Sequence, residues 1–574
     1  MTQKMTGAEI MVRSFEDLGV TRVFGYSGAS ILPVFDAVGK SSISLSVNAN
    51  EQCCAFGAAG YSRSSDLVGI TIVTSGPAIT NTLTAVADSN ADSIPMLVFA
   101  GQVPFLRMGT DEFQHINVDS VFADACKKVV VVNENSDVEQ VVKDAYYFAK
   151  SGKPGPVVID FPFDMQKKEA VYHNLDPKLF EHKYDNENHL GANQCKTFFD
   201  LLAASKKPLL YIGGGVNSRE ASEKLREFNH LFGIPSINSL MGKGTLDESL
   251  DSSLGMLGMF GTPYANRAIQ ETDLFVAFGV RWDDRVSQKV GETGLAADIA
   301  YFDINAEKVQ EVRLSRHPKF SFIGDAKIIL RDLLDYAKKE PIQLDIDAWQ
   351  QKTRNMKQTM ALNYKKDPDV IWQAEVIDRL SKYITEKTKI VTGVGNHQML
   401  AAQYLKTPNP KSFITSGGFG AMGFALPAAV GAHYANPTDT VIAIDGDGSI
   451  RMNMGAMHTI GVNQLPIKVL LLNNHCDGMV RNIQTDFYDK QYVATETPCD
   501  VNFAQIAKEC GFEFCRKTEN PAEIETCLKD FIAATGPCFL EVVTDTEEKV
   551  FPKIPPENGY KGMQLGPYIK PFDE

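Results

Sequence analysis

Short apolar runs recur along the first third of the chain, at residues 22–26, 70–73, 96–100 and 156–160. Their length and composition are typical of strands. The segments between them are longer and more polar, and residues 8–18 have the pattern of a helix. Regular alternation of strand and helix patterns predicts a parallel sheet with helices packed on its faces.

The same alternation returns twice further along the chain. A second group of strand-like runs lies at residues 209–212, 274–278 and 300–304, and a third group lies at residues 441–444 and 467–472. A polar stretch at 184–193 is typical of a linker, and a charged helical stretch at 347–366 joins the second group to the third. We therefore predict an α/β protein with three doubly wound parallel-sheet domains at residues 1–180, 194–340 and 365–548, and a proline-rich tail at 549–574.

Polar residues and glycines follow the two strands of the third group. Asp445-Gly446-Asp447-Gly448 comes directly after residues 441–444, and Asn473-Asn474 comes after residues 467–472. Successive strands of a parallel sheet end at one crevice, so Asp447 and Asn474 are expected to meet there. A carboxylate and an amide oxygen, with loop carbonyls, suit Mg²⁺ held against a diphosphate, and the two glycines let backbone N–H groups approach phosphate oxygens. Ordinary strand-end turns are the alternative, because Asp, Gly and Asn are common turn residues.

This arrangement of GDGS and NN resembles the thiamine-diphosphate motif of the acetolactate synthase-like enzymes. Further stretches resemble the acetohydroxyacid synthases: TSGPAITN at 74–81, GQVP to GTDEFQ at 101–114, LGMLGMFG at 254–261, GVRWDDRV at 279–286, GNHQ at 395–398 and SGGFGAMG at 416–423. The resemblance covers residues 5 to 550. It implies a pyrimidine-binding first domain, a middle domain of the FAD type and a third domain that binds diphosphate and Mg²⁺.

The resemblance implies catalytic roles for Glu51, Phe113 and Gln114. In the family, a glutamate at the start of such a helix contacts the aminopyrimidine ring nitrogen of the cofactor and favours its imino tautomer by sharing a proton. Phe113 and Gln114 are expected beside the substrate, where the Gln114 amide faces the reacting carbonyl. Position alone also explains Glu51 as an acid that stabilises a helix N-terminus.

The resemblance also implies the residues that hold each cofactor. Met422 matches the apolar residue that wedges between the two rings of thiamine diphosphate, although core packing explains a lone methionine equally well. His397 is either a core histidine or a donor in the pocket. The thiamine-diphosphate contacts are assigned to Gly28, Gly76, Asn81, Gly395, His397, Gln398, Gly420, Met422, Gly446, Gly448, Ser449 and Met479. Mg²⁺ is assigned to Asp447, Asn474 and Cys476. A largely structural FAD is assigned to Gly213, Gly214, Gly215, Gly261, Arg281 and Asp303, although a GGG run without GxGxxG is as often explained by tight packing.

Composition and charge indicate which partners and which cellular compartment to expect. A net charge of −14 argues against nucleic acid and anionic membranes as partners. The ten cysteines include no CxxC pair, which favours free thiols in a reducing cytoplasm. Residues 412–438 carry no charge and are long enough to span a bilayer, but their glycines and prolines indicate a buried loop and helix instead.

The expected reaction is that of a carboligase. Pyruvate would be decarboxylated on thiamine diphosphate, and the two-carbon unit would be transferred to a second 2-keto acid to give 2-acetolactate. The family commonly carries Trp at the position of Ile483, and RNIQTDFY at 481–488 resembles carboligases of unusual sugar biosynthesis, so a keto-sugar nucleotide is the alternative acceptor. A pyruvate oxidase or decarboxylase would use the same cofactor. In the family, the residues that match Glu51 and Asp447 come from different subunits and share one site. A homodimer or homotetramer is therefore expected.

Overall fold

The fold is taken from a computed structural model that describes residues 3–185, 187–282, 297–497, 501–555 and 559–572. Three six-stranded sheets follow one another along the chain, and every pairing within them is parallel. The predicted fold class is therefore confirmed. The end of the GVRWDDRV motif, residues 283–286, lies outside the described residues.

The first sheet has the strand order β3-β2-β4-β5-β7-β6, and a separate antiparallel pair joins β1 to β8. Capping side chains fix several of its helices, as where Thr6 caps the first helix and Asn50 caps the third. The elements in chain order are β1 Gln3–Thr6, α1 Gly7–Asp17, β2 Arg22–Tyr26, α2 Leu32–Gly39, β3 Ser44–Val47, α3 Glu51–Arg63, β4 Gly69–Val73, α4 Pro77–Asn81, α5 Leu83–Ala91, β5 Met96–Gln102, α6 Val118–Phe122, β6 Lys128–Val131, α7 Val138–Lys150, β7 Pro156–Pro162, α8 Phe163–Lys167, β8 Glu169–Tyr172 and α9 Pro177–Tyr184.

The second sheet has the order β11-β10-β9-β12-β13-β14. Counted within the sheet this is 3-2-1-4-5-6, the order of dinucleotide-binding folds. Its elements are α10 Ala192–Ala204, β9 Pro208–Ile212, α11 Arg219–Phe232, β10 Ser236–Asn238, β11 Ser253–Met256, α12 Pro263–Ala268, β12 Leu274–Phe278, β13 Asp298–Asp303, α13 Ala306–Arg316, β14 Phe320–Ile323, α14 Ala326–Lys339 and α15 Asp347–Thr359. The tail packs on this domain, where Ile554 N–H donates to the Met259 carbonyl.

The third sheet has the order β16-β15-β17-β18-β20-β19, which repeats the order of the first sheet. Its elements are α16 Gln373–Ser381, β15 Thr388–Thr392, α17 Asn396–Tyr404, β16 Phe413–Ile414, α18 Ala425–Ala435, β17 Thr440–Gly446, α19 Asp447–Met452, α20 Ala456–Val462, β18 Ile467–Asn473, α21 Gly478–Phe487, α22 Phe503–Glu509, β19 Phe514–Thr518, α23 Ile524–Ala533 and β20 Cys538–Val543. Short 3₁₀ turns complete the described chain at Ala29–Ile31, Phe105–Arg107, Gly214–Val216, Leu240–Gly242, Pro521–Glu523 and Tyr560–Gly562.

In each sheet the chain returns past its first strand and then builds outward in the other direction. The points of reversal lie between β2 and β4, between β9 and β12, and between β15 and β17. Loops after the two strands separate there and leave a crevice at the carboxyl edge, which is the usual ligand site of such sheets. Most of the predicted cofactor residues follow these strands.

Helices α3 and α18 join the first and third domains. Both are rich in small residues, and residues Cys53–Arg63 and Ala425–His433 are all buried. Gly60 lies against the Ala428 backbone, and Gly431 lies against the carbonyl of Gly57, so the two helix backbones touch. The helical part of the uncharged stretch at 412–438 is therefore internal to the protein. Among the described residues, no helix combines the length and the apolarity needed to cross a bilayer.

Candidate active site

Glu51 lies at the carboxyl edge of the first sheet. It is the first residue of α3, which begins there because the Asn50 side chain accepts the Cys53 N–H at 2.8 Å. The Asn81 amide, at the end of α4, donates to Glu51 Oε2 at 2.9 Å. The structure thus brings together two residues predicted from motifs 30 positions apart and leaves the carboxyl group half-buried.

Gly28, Gly76 and Gln114 lie close together at the same edge. Gly76 has φ +62°, and a Cβ on it would lie 3.0 Å from Gln114 Cβ, so a side chain at this position would push against the Gln114 loop. A Cβ on Gly28 would lie 2.4 Å from Thr74 Cγ2. Phe113, beside Gln114, is 84% exposed in the single chain and contributes nothing to its core.

Asp447 and Asn474 meet as predicted at the carboxyl ends of β17 and β18. One terminal atom of the Asn474 amide lies 3.1 Å from Asp447 Oδ1 and 2.9 Å from the Cys476 carbonyl oxygen. If this atom is the amide nitrogen, it donates to both oxygens. If it is the amide oxygen, three oxygens, from Asn474, Asp447 and Cys476, converge on one point. Three converging oxygens are the ligand set that a hard divalent cation takes.

The sulfur of Cys476 does not suit the same ion. Burial raises the pKa of this thiol to about 12, so it stays protonated and is a poor ligand for a hard cation. The Cys476 carbonyl oxygen is therefore the group that fits the metal position. Burial also raises the pKa of Asp447, whose Oδ2 accepts a hydrogen bond from Thr497 at 3.2 Å. In the described part of the chain no three His, Cys, Asp or Glu side chains are arranged so that they could hold a metal ion by themselves.

Several buried polar atoms around this point have no hydrogen-bond partner among the described residues. They are Asn396 Oδ1 and Nδ2, His397 Nε2, Asp445 Oδ2 and Asp477 Oδ1. Buried polar groups are normally paired, so such a group of orphans indicates that a polar ligand completes the site. A diphosphate with its cation offers both acceptors and positive charge, and the residues present fit that group.

Glycines form the cradle beside these atoms. A Cβ on Gly446 would lie 2.8 Å from His397 Nδ1, one on Gly448 would lie 2.0 Å from Asp477 Oδ1, and one on Gly478 would lie 2.6 Å from Asn396 Nδ2. Burial lowers the pKa of His397 to about 3, so its imidazole is neutral. The motifs do not mark Asn396, Asp445 and Asp477 as site residues, although each lies within two residues of a predicted position.

The remaining predicted residues of the third domain make different kinds of contact. Gln398 donates to Thr415 Oγ1 at 2.7 Å and to the Ser416 carbonyl at 3.0 Å, so its amide nitrogen is used in holding the strand ends. Ser449 Oγ accepts the Gly423 N–H at 3.1 Å. Met422 Cε lies 3.4 Å from the Cβ position of Gly448, over the turn. Met479, in the first turn of α21, is half-buried.

Gly395 and Gly420 occupy backbone positions that favour glycine. Their φ angles are +155° and +70°. Gly395 begins the turn that places His397, and Gly420 lies in the loop that places Met422. These two glycines thus have a backbone role whether or not they contact a ligand.

Comparison with known proteins agrees with this geometry. Family models described as the thiamine pyrophosphate enzyme N-terminal TPP binding domain, central domain and C-terminal TPP binding domain match residues 5–121, 195–333 and 393–542. Acetolactate synthase 2, chloroplastic, of Nicotiana tabacum is 37% identical over 569 residues, covering 97% of this chain and 85% of the relative. The acetolactate synthase large subunit of Cyanidium caldarium is 35% identical, covering 96% of this chain and 95% of the relative. Acetolactate synthase, chloroplastic, of Arabidopsis thaliana is 37% identical, covering 96% and 83%.

The chain belongs to the acetolactate synthase family of thiamine-diphosphate enzymes.

Membership of the acetolactate synthase family confirms the predicted cofactor thiamine diphosphate and the predicted class of carboligase. The relatives give no support to an oxidase, a decarboxylase or a sugar-nucleotide carboligase. The cytoplasmic location, the domain boundaries and the individual site residues stay predictions.

The middle domain of this acetolactate synthase-family chain has the strand order of dinucleotide-binding folds. Gly213 follows β9 and Gly279 follows β12, the two strands that flank the crevice. A Cβ on Gly213 would lie 1.9 Å from the Gly279 carbonyl oxygen, and one on Gly215 would lie 2.8 Å from Gly279 Cα. Close backbone packing therefore already requires these glycines. A Cβ on Gly214 would lie 3.0 Å from Met241 Cβ.

The other residues assigned to FAD differ from one another. A Cβ on Gly261 would lie 2.4 Å from the Met256 carbonyl, so this glycine is required by a tight turn. Asp303 ends β13, the strand that pairs with β12 beside the crevice. It accepts the Asn305 N–H at 2.8 Å, and burial raises its pKa to about 6. Arg281 donates to the Ala91 carbonyl in the first domain.

Proposed function

We propose that this chain is the catalytic subunit of an acetolactate synthase, which decarboxylates pyruvate and transfers the two-carbon unit to a second molecule of a 2-keto acid. The observation that carries the proposal is the convergence of Asp447, Asn474 and the Cys476 carbonyl at a turn surrounded by orphaned polar atoms. Acetolactate synthases that match 96–97% of this chain at 35–37% identity support the same reaction.

The third domain holds the charged end of the cofactor in this proposal. Asp447, Asn474 and the Cys476 carbonyl bind Mg²⁺, and the glycine turn at 446–448 presents backbone N–H groups to the diphosphate. The orphaned Asn396 amide lies beside Asn474 and adds a donor there. Met422 packs over the turn and shapes the space for the rings.

Glu51 sets the protonation of the pyrimidine end. Bound thiamine diphosphate supplies the electron sink that decarboxylation of a 2-keto acid requires. The Glu51 carboxyl group holds a proton at the pyrimidine ring nitrogen, and Asn81 orients that carboxyl group through its hydrogen bond. Gln114, held against Gly76, directs its amide toward the carbonyl that reacts.

FAD and the oligomer are the finer parts of the proposal. The 3-2-1-4-5-6 strand order, together with Asp303 and Arg281, supports FAD in the middle crevice in a structural role. Exposed apolar residues beside the Glu51 edge, Val47 and Phe113 among them, support a second copy that covers this edge. We propose a homodimer or homotetramer in which Glu51 of one copy and Asp447 of another complete one site.

The test is product analysis with the full-length protein, thiamine diphosphate and Mg²⁺. Incubation with pyruvate alone should release CO₂ and form 2-acetolactate, identified by mass, in the ratio of one to one. Acetaldehyde or hydrogen peroxide as the main product would contradict the carboligase assignment. Size-exclusion chromatography with light scattering measures the oligomer, and a monomer with full activity would contradict the shared site.

A further inference from the structure

A buried carboxylate of the first domain holds the backbone of a loop in the third domain. Asp92, just after α5, accepts the Gly417 N–H at 2.9 Å and the Gly418 N–H at 2.7 Å. The same carboxylate accepts a hydrogen bond from Arg63 Nη1 at 2.7 Å. These two glycines open the loop that carries Gly420 and Met422.

A second buried carboxylate fastens the residues just before those glycines. Arg63 pairs with Asp88 at 2.6 Å and donates to the Thr415 carbonyl at 3.0 Å, and its side chain is only 2% exposed. Ser416 Oγ donates to Asp88. Residues 415 to 418 are therefore each held by a group from the first domain, and this junction consists of Arg63, Asp88 and Asp92.

The middle domain touches the same loop from its flavin side. A Cβ on Gly418 would lie 2.8 Å from the Arg281 guanidinium, and one on Gly417 would lie 2.5 Å from Met241 Sδ. Met241 also packs against Gly214. Arg281 and Gly214 are residues assigned to FAD, so the flavin crevice and the thiamine loop share one junction.

We propose that Asp92 is a positioning residue that orders the loop at 416–423 for thiamine diphosphate and couples that loop to the flavin crevice. The inference rests on the proposed function, because it requires both cofactors to bind. A loop with glycines at 417, 418, 420 and 423 loses much conformational entropy when it is ordered. Asp92 orders Gly417 and Gly418 in advance.

The coupling follows from where the second cofactor binds. FAD that fixes Arg281 and the turn beside Met241 restricts the same two glycines from the other side. A thiamine diphosphate that arrives afterwards orders fewer residues, so each cofactor tightens the binding of the other by the same factor.

The experiment measures both affinities on the full-length protein with saturating Mg²⁺. Thiamine diphosphate is titrated calorimetrically with and without FAD, and FAD is titrated by flavin fluorescence with and without thiamine diphosphate. In the wild-type protein each cofactor should raise the binding affinity of the other about 5- to 100-fold. In Asp92→Asn the factor should fall below about twofold, because one amide N–H of the loop then faces a donor.

A kinetic measurement separates positioning from loss of fold. Asp92→Asn should show a raised KM for thiamine diphosphate and a near wild-type kcat once both cofactors are saturating. Met241→Ala leaves every charge of the junction in place and should reduce the coupling factor as well. It keeps the proposal testable if Asp92→Asn fails to fold.

The matched control is Asp17→Asn. Asp17, like Asp92, is a largely buried carboxylate in an ion pair, here with Lys143 at 2.7 Å. It does not belong to the junction. This variant should lose stability and keep the wild-type coupling factor. Uptake of both cofactors by wild-type protein with independent affinities, or wild-type coupling in Asp92→Asn, would refute the coupling alone. Failure to take up FAD would refute it together with the flavin assignment.

Discussion

Substitution of Gly431 by alanine tests the contact between α3 and α18. A Cβ on Gly431 would lie 1.8 Å from the Gly57 carbonyl oxygen and 2.7 Å from the Tyr61 nitrogen. Real Cβ atoms do not approach within 3.0 Å of other atoms, so the two backbones must separate by about 1 Å. Both colliding groups are main chain and cannot rotate away.

Two effects oppose each other in this variant. Alanine in a helix interior is favoured over glycine by about 1 kcal/mol. Overpacking a buried contact costs typically about 1–3 kcal/mol and occasionally more. Because backbone meets backbone, we expect the upper end of that range and a net loss of about 2 kcal/mol in the free energy of unfolding.

Urea unfolding followed by fluorescence measures the loss, and steady-state kinetics measures its effect on Glu51. Since α3 begins at Glu51, a displacement of about 1 Å should lower kcat up to about 100-fold at saturating cofactor. Gly39→Ala is the control, because Gly39 ends α2 with nothing within 4 Å of its Cβ position. A Gly431→Ala protein with wild-type stability and turnover would show that the two helices are not in backbone contact.

Three further predictions concern single carboxyl groups. Glu51→Gln should lower kcat by about 10²–10⁴-fold with an unchanged circular dichroism spectrum, since it removes an acid–base group and not a core contact; retained turnover would exclude Glu51 from the reaction. Asp447→Asn should weaken Mn²⁺ binding, measured by electron paramagnetic resonance in the presence of thiamine diphosphate, by at least about tenfold; equal affinity would place the cation elsewhere. Burial raises the pKa of Asp160 from 3.8 to about 7, so its contribution to stability is full below pH 3.8 and is lost as the pH rises through 7. Asp160→Asn should therefore gain stability relative to wild type between pH 5 and pH 8, by at most about 4 kcal/mol in urea unfolding; parallel pH profiles would contradict this.

Several central strands were predictable from the sequence, whereas the buried central strands β15 and β20 were not predicted. The runs at 22–26 and 274–278 coincide with β2 and β12, because the central residues of both strands are buried on both faces. The edge strands β3 and β6 were not predictable from the pattern, since they are partly exposed. Pattern alone does not distinguish such strands from loops.

The site divides in a similar way. Asp447 and Asn474 were predictable because strand ends of a parallel sheet must meet at one edge. Asn396 and Asp477 were not, because their importance depends on the absence of a partner for each side chain, which only three-dimensional contacts reveal. The junction of Arg63, Asp88 and Asp92 joins residues of the first domain to residues more than 300 positions away, and no local pattern records that distance.

The contact between α3 and α18 has a consequence for the chain as it leaves the ribosome. Helix α3 ends at Arg63, whereas the surface that covers it is completed only at Ala435. At typical rates of translation, the remaining stretch takes roughly 20–70 s to synthesise. During that interval the face of α3 that packs on α18 stays uncovered in the nascent amino-terminal third, so we expect this segment to bind chaperones.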